Sequence, residues 1–175
     1  MTEDFTAEAL AIREHLKSFE NQISIRATGH KILILGDYGY NLSLLETLKS
    51  KIIGGGYSAF LVKDLKQGIA VSDFDAASIL TGHCDLILLI DGESIGTGVE
   101  CSLIMNSKEL QEKTLFLTSK NFDAMCDIRN PYFYYPIYDY HDTTQTDIIN
   151  KALGMVKRES YRRAKIYIAE QKKKA

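Results

Sequence analysis

Apolar positions in this chain follow two periodicities that alternate along its length. Between Ala7 and Ile25, Leu10, Ile12, Leu16, Phe19 and Ile23 recur mostly at helical spacings among Arg13, Glu14, Lys17 and Glu20, which predicts an amphipathic helix. Ala27-Thr28-Gly29-His30 interrupts it, and Lys31 to Gly36 is a continuous apolar run of the kind shown by a strand covered on both faces. Leu42, Leu45, Leu48, Ile52 and Ile53 form a second helical stripe, closed by Gly54-Gly55-Gly56. Tyr57 to Val62 reads as a second strand, ending at Asp64, and Val71 to Leu80 as a helix. Asp85 to Asp91 is the clearest buried strand, and a glycine-rich turn from Gly92 to Gly98 leads from it into a helix reaching about Ser107. Lys113 to Thr118 gives a fourth strand, while Tyr132 to Tyr138 has strand propensity but carries Pro136, as an edge strand would. From Asp142, the residues Ile148, Ile149, Leu153, Val156 and Ile166 predict a long last helix ending in Lys172-Lys173-Lys174.

Strands alternating with helices predict an α/β fold: three layers, α/β/α, with a four- or five-stranded parallel sheet joined by right-handed crossovers. The 175 residues suit a single domain, with a helix over 1–28, the core over 31–140, and a helix with a basic tail over 142–175. The first and last helices are additions to the minimal core, either packing together or forming a dimer contact.

Charge and cysteine usage narrow the function classes. A net charge of -2 offers no general attraction to nucleic acid, and the lysine tail is too short to change that. Cys84, Cys101 and Cys126 are odd in number and widely spaced, which fits reduced thiols in the cytoplasm. No segment approaches the ~20 apolar residues of a membrane span. His15, His30, His83 and His141 are scattered without metal-ligand spacing, so neither a metal nor a cofactor is expected.

In an open parallel sheet, ligands collect beyond the carboxyl ends of the strands. Those ends carry Gly36-Asp37-Tyr38-Gly39-Tyr40, Asp64, the run Asp91-Gly92-Glu93-Ser94-Ile95-Gly96-Thr97-Gly98-Val99-Glu100, and Thr118-Ser119-Lys120. Glycines in the third loop let a backbone approach a ligand, and Glu100 is expected in the first turn of the next helix, held ionised by the helix dipole. An ionised carboxylate there suits a nucleophile at a glycosidic carbon better than a proton donor. Thr97-Gly98-Val99-Glu100 also has the form of a capping box, a purely structural role. Asp91 could likewise only end a strand, and Asp37 only fix the turn before Asn41.

The stretch from Lys31 to Leu117, and above all CDLILLIDGESIGTGVECSLIM, resembles the nucleoside 2-deoxyribosyltransferase-like superfamily. The resemblance implies a flavodoxin-like sheet, often in a homo-oligomer, that binds a small nucleoside or nucleotide. It implies Glu100 as the catalytic carboxylate, Asp91 at the acidic strand end, and Asp73 or Asp75 as an acid near the base. Gly36, Asp37, Tyr38, Asp64, Gly92, Ser94, Gly96, Thr97 and Gly98 would complete the ligand site. Ser94-Ile95 stands where the family commonly has an aspartate before the loop glycine. A related glutamate would serve an N-glycosidic hydrolase, an NAD-cleaving Toll/interleukin-1-receptor-like domain, or a binding domain without turnover.

Two other classes compete. A receiver-like phosphoacceptor would use Asp37, Asp91 and Thr118, but Asp37 stands alone before Tyr38 where a pair of acids is needed. A non-catalytic interaction or ligand-sensing module would draw on the terminal helices and on the aromatic run Tyr132 to Tyr140. Rossmann and P-loop readings fail on glycine spacing and on the absence of a Lys-Ser/Thr ending.

Overall fold

The computed structural model describes residues 6–39, 41–90, 95–117 and 144–174, with the backbone alone described over 95–97. Its elements run α1 (Ala7–Thr28), β1 (Lys31–Gly36), α2 (Leu42–Gly54), β2 (Ser58–Leu61), α3 (Val62–Lys66), α4 (Asp73–His83), β3 (Leu86–Ile90), α5 (Ile95–Met105), α6 (Lys108–Glu112), β4 (Thr114–Leu117) and α7 (Gln145–Lys174). All strand pairs are parallel, in the order β2-β1-β3-β4. The expected α/β sheet is therefore present. The candidate edge strand Tyr132 to Tyr138 lies outside the described residues.

Side chains on successive strand residues point to opposite faces, and both faces here are covered. Ile32, Ile34, Leu86, Leu88, Ile90, Leu115 and Leu117 pack with Leu45 and Leu48 of α2 and Ala152 and Val156 of α7. Leu33, Leu35, Ile87, Leu89 and Phe116 pack on the other side with Ala77 of α4, Cys101 and Ile104 of α5 and Leu110 of α6. Continuous apolar strands are the direct consequence of that double coverage, because neither alternating set can face water. The chain leaves β1 for β2 on one side and later enters β3 on the other, so the top of β1 is the switch point of the sheet.

The terminal helices pack together through Phe19, Ile23 and Ala27 of α1 and Ala164 and Ile168 of α7. Arg26 lies over the Tyr167 ring at 4.2 Å and Lys172 over the Phe19 ring at 4.4 Å, so the two helices run antiparallel. Of the two arrangements open from the sequence, intramolecular packing is the one observed. Glu159 of α7 receives Arg162 and Arg163; burial alone would raise its pKa, but these two guanidinium groups outweigh that and lower it.

Several boundaries differ from the sequence reading. The α4 helix begins at Asp73 rather than Val71, because the Ser72 hydroxyl caps it by accepting from the Asp75 amide at 3.0 Å. The single-turn helices α3 and α6 are too short to show a periodic stripe, and the α5 helix stops at Met105. No described helix is long and apolar enough to cross a membrane.

Candidate functional site

The site is built outward from the end of β1. Gly36 passes so close to β3 that a Cβ there would lie 2.8 Å from the Ile90 carbonyl oxygen and 3.2 Å from Leu45 Cδ2. Glycine at the strand end is thus demanded by the approach of two backbones. Asp37 follows at 1% exposure, its Oδ1 accepting from the Gly39 amide at 2.9 Å and its carbonyl from the Asn41 amide at 2.9 Å. These bonds turn the chain into α2, the structural role the sequence allowed for Asp37.

Tyr38 closes one wall. Its hydroxyl donates to the Ile34 carbonyl at 3.2 Å and accepts from the Val62 amide at 3.1 Å, tying β1 to α3. Burial raises the phenol's pKa well above its ordinary value, the Val62 amide opposes this, and Glu100, Asp64 and Asp73 add to the rise.

Glu100 departs from expectation in position and in charge. The α5 helix begins at Ile95, so Glu100 stands in its second turn, and no acid occupies the first. Thr97 lies inside the helix rather than at its cap, which removes the capping-box geometry. The dipole argument fails with it, since that effect fades beyond the first turn. Burial instead pushes the Glu100 carboxyl up to about 8; the Gly36 amide works against this, and the negative charges of Asp73 and Asp37 reinforce it. Oε2 of Glu100 is buried and meets no hydrogen-bond partner among the described residues. The group is therefore mostly a neutral acid at pH 7, not the ionised carboxylate expected from the sequence.

A cavity of about 370 Å³ opens between the top of β1, α4 and α5, on the side of the sheet opposite α2. Gly36, Asp37, Tyr38 and Gly39 form its floor, with Asp73, Phe74 and Ala77 on one side and Val99, Glu100 and Leu103 on the other. Phe74, 48% exposed, and Val99, 40% exposed, leave an apolar surface at this cavity. Sequence reasoning passed over Phe74; an aromatic immediately after a cap-forming Ser72-Asp73 pair was the available signal.

The other candidate residues divide clearly. Asp73 lines the cavity and pairs with Lys66 at 2.6 Å. Asp75 does not line it; its carboxylate accepts from the Ser72 hydroxyl at 2.6 Å, as part of the helix start. Asp64 is also turned to structure, accepting from the Leu61 amide at 2.9 Å and pairing with Lys49 at 3.0 Å. Gly98 is exposed with open space where a Cβ would stand, so no close approach requires glycine there. Gly96 and Thr97 are placed by backbone only, while Tyr40, Asp91, Gly92, Glu93, Ser94 and Thr118 to Lys120 lie outside the described residues. The receiver-like trio is thus represented by Asp37 alone. Among the described residues no cluster of three His, Cys, Asp or Glu side chains could hold a metal ion.

No protein-family model, curated protein or solved structure matches the chain.

Proposed function

We propose that the chain binds a nucleoside or nucleotide-like small molecule in this cavity and cleaves or transfers its N-glycosidic bond through Glu100. The observation that carries the reading is a partly desolvated carboxyl at the wall of a cavity beside two further acids, Asp37 and Asp73, at the switch point of a parallel sheet. Burial and like charge make the Glu100 anion unfavourable. A sugar carbon acquiring positive charge as its bond to the base lengthens would favour that anion, so the group interacts more strongly with the transition state than with the ground state.

In this reading the ionised carboxylate forms a bond to the anomeric carbon while the C–N bond breaks and its electron pair leaves with the base. Water or a second base then attacks the same carbon and displaces the carboxylate. The resemblance noted in the sequence points to the same chemistry, with Glu100 as the residue it identifies.

Incubation with a panel of nucleosides, nucleotides and NAD, followed by chromatography of free base, tests the proposal against Glu100→Ala and Glu100→Gln. Release by the native chain with loss of about 100-fold or more in both variants is expected. Saturable binding without base release would leave a ligand-sensing module, and equal traces in all three proteins would remove the enzymatic reading.

A further inference from the structure

The described lining of the cavity is chemically one-sided. Carboxyl groups reach it from three elements, as Asp37 after β1, Asp73 at the start of α4 and Glu100 on α5, and no Lys, Arg or His is among the described residues that line it. Lys66, which approaches from α3, is engaged with Asp73. Two aromatic rings, Tyr38 and Phe74, share the same space. The quadrupole of an aromatic face and the charge of a poorly solvated carboxylate both attract a cation, and both oppose a phosphate. The buried Oε2 of Glu100 points the same way, because a polar atom without a partner among the described residues is expected to find one in a ligand.

We infer that the ligand of this cavity is a ring-bearing organic cation, of the pyridinium or alkylated-base N-glycoside class, in preference to an uncharged or phosphate-bearing analogue. The inference rests on the reading of this cavity as the ligand site. It also fits a Glu100 carboxyl that burial keeps protonated. A cation entering beside Glu100 displaces the carboxyl proton to solvent, leaving the carboxylate that bonds to the anomeric carbon. The cationic base takes the electron pair of the C–N bond and departs neutral, so its departure needs no proton donor. In hydrolysis, water adds its oxygen to the sugar carbon and its proton returns to the released Glu100 carboxylate.

Calorimetric titration at pH 7, in two buffers of different ionisation enthalpy, tests this with a carbocyclic ribosyl-pyridinium that cannot be cleaved and with its uncharged phenyl counterpart. The cation is expected to bind about tenfold or more tighter than the phenyl compound. The native chain should release about one proton on binding it, and Glu100→Gln none. Equal or tighter binding of the phenyl compound, or tighter binding of a 5′-phosphorylated pyridinium, overturns the cation inference while leaving the cavity as a ligand site. A preference for the cation without proton release overturns the part assigned to Glu100, and failure of both compounds to bind overturns the inference together with the site.

Discussion

Gly36, at the end of β1, and Glu100 on α5 line the same cavity, and the Gly36 amide favours the ionised form of the Glu100 carboxyl. Their juxtaposition joins the strand end that cannot carry a side chain to the acid that sequence reasoning singled out. Burial outweighs that amide, and the carboxyl stays protonated to about pH 8.

Between the ordinary glutamate value of 4.5 and about 8, the native chain retains the Glu100 proton that the unfolded chain has lost. The stabilisation from this group is fully present below 4.5 and is lost as pH rises through about 8. Glu100→Gln cannot ionise, so it should flatten this slope and be more stable than the native chain at pH 9, by roughly 2–5 kcal/mol. Urea denaturation of both proteins between pH 5 and 9 checks it, and parallel curves would contradict it.

Gly36→Ala should be costly although it adds one methyl group. Its Cβ would meet the Ile90 carbonyl oxygen at 2.8 Å, and backbone on both strands would have to yield. A loss of roughly 1–3 kcal/mol is expected, measured as a lower urea midpoint. Gly98→Ala, with open space around the added atom, should be neutral or slightly stabilising within α5.

Tyr38→Phe removes a hydroxyl that serves the Ile34 carbonyl and the Val62 amide together. Leaving that amide without its partner should cost about 1–3 kcal/mol. Amide hydrogen exchange at Val62 should accelerate more than exchange at the centre of β1.

Asp73 and Asp75 can be separated without any ligand. The Asp73 charge raises the Glu100 pKa, so Asp73→Asn should lower the titration midpoint of Glu100. Asp75→Asn should leave that midpoint in place and cost about 0.5–1 kcal/mol through the weakened start of α4. Reversal of these two effects would return Asp75 to the site.

Much of the fold was legible because strands buried on both faces must be continuously apolar, and Lys31 to Gly36 and Asp85 to Ile90 announce themselves in that way. The pairing of α1 with α7 was not, since a stripe such as Leu16, Phe19 and Ile23 shows that a helix covers something without saying what. At the site, Glu100 was legible as a residue and misread in its charge: its protonation follows from burial and from Asp37 and Asp73, groups brought near only by the fold. Asp64 and Asp75 look as functional in sequence as Asp73, and only the hydrogen bonds to Leu61 and Ser72 divide them from it. Phe74 was missed because an aromatic on a helix reads as core until its exposure is known.

Glu100 is a cavity-facing acid whose proton survives to neutral pH. Carbon-13 NMR of the side-chain carboxyl, assigned through Glu100→Gln and followed from pH 3 to 10 in ligand-free protein, measures this without knowledge of any substrate. A midpoint near 8 is the predicted result. A midpoint at the ordinary value of 4.5 would contradict the account, because Glu100 would then be a solvated carboxylate with no special place in the cavity.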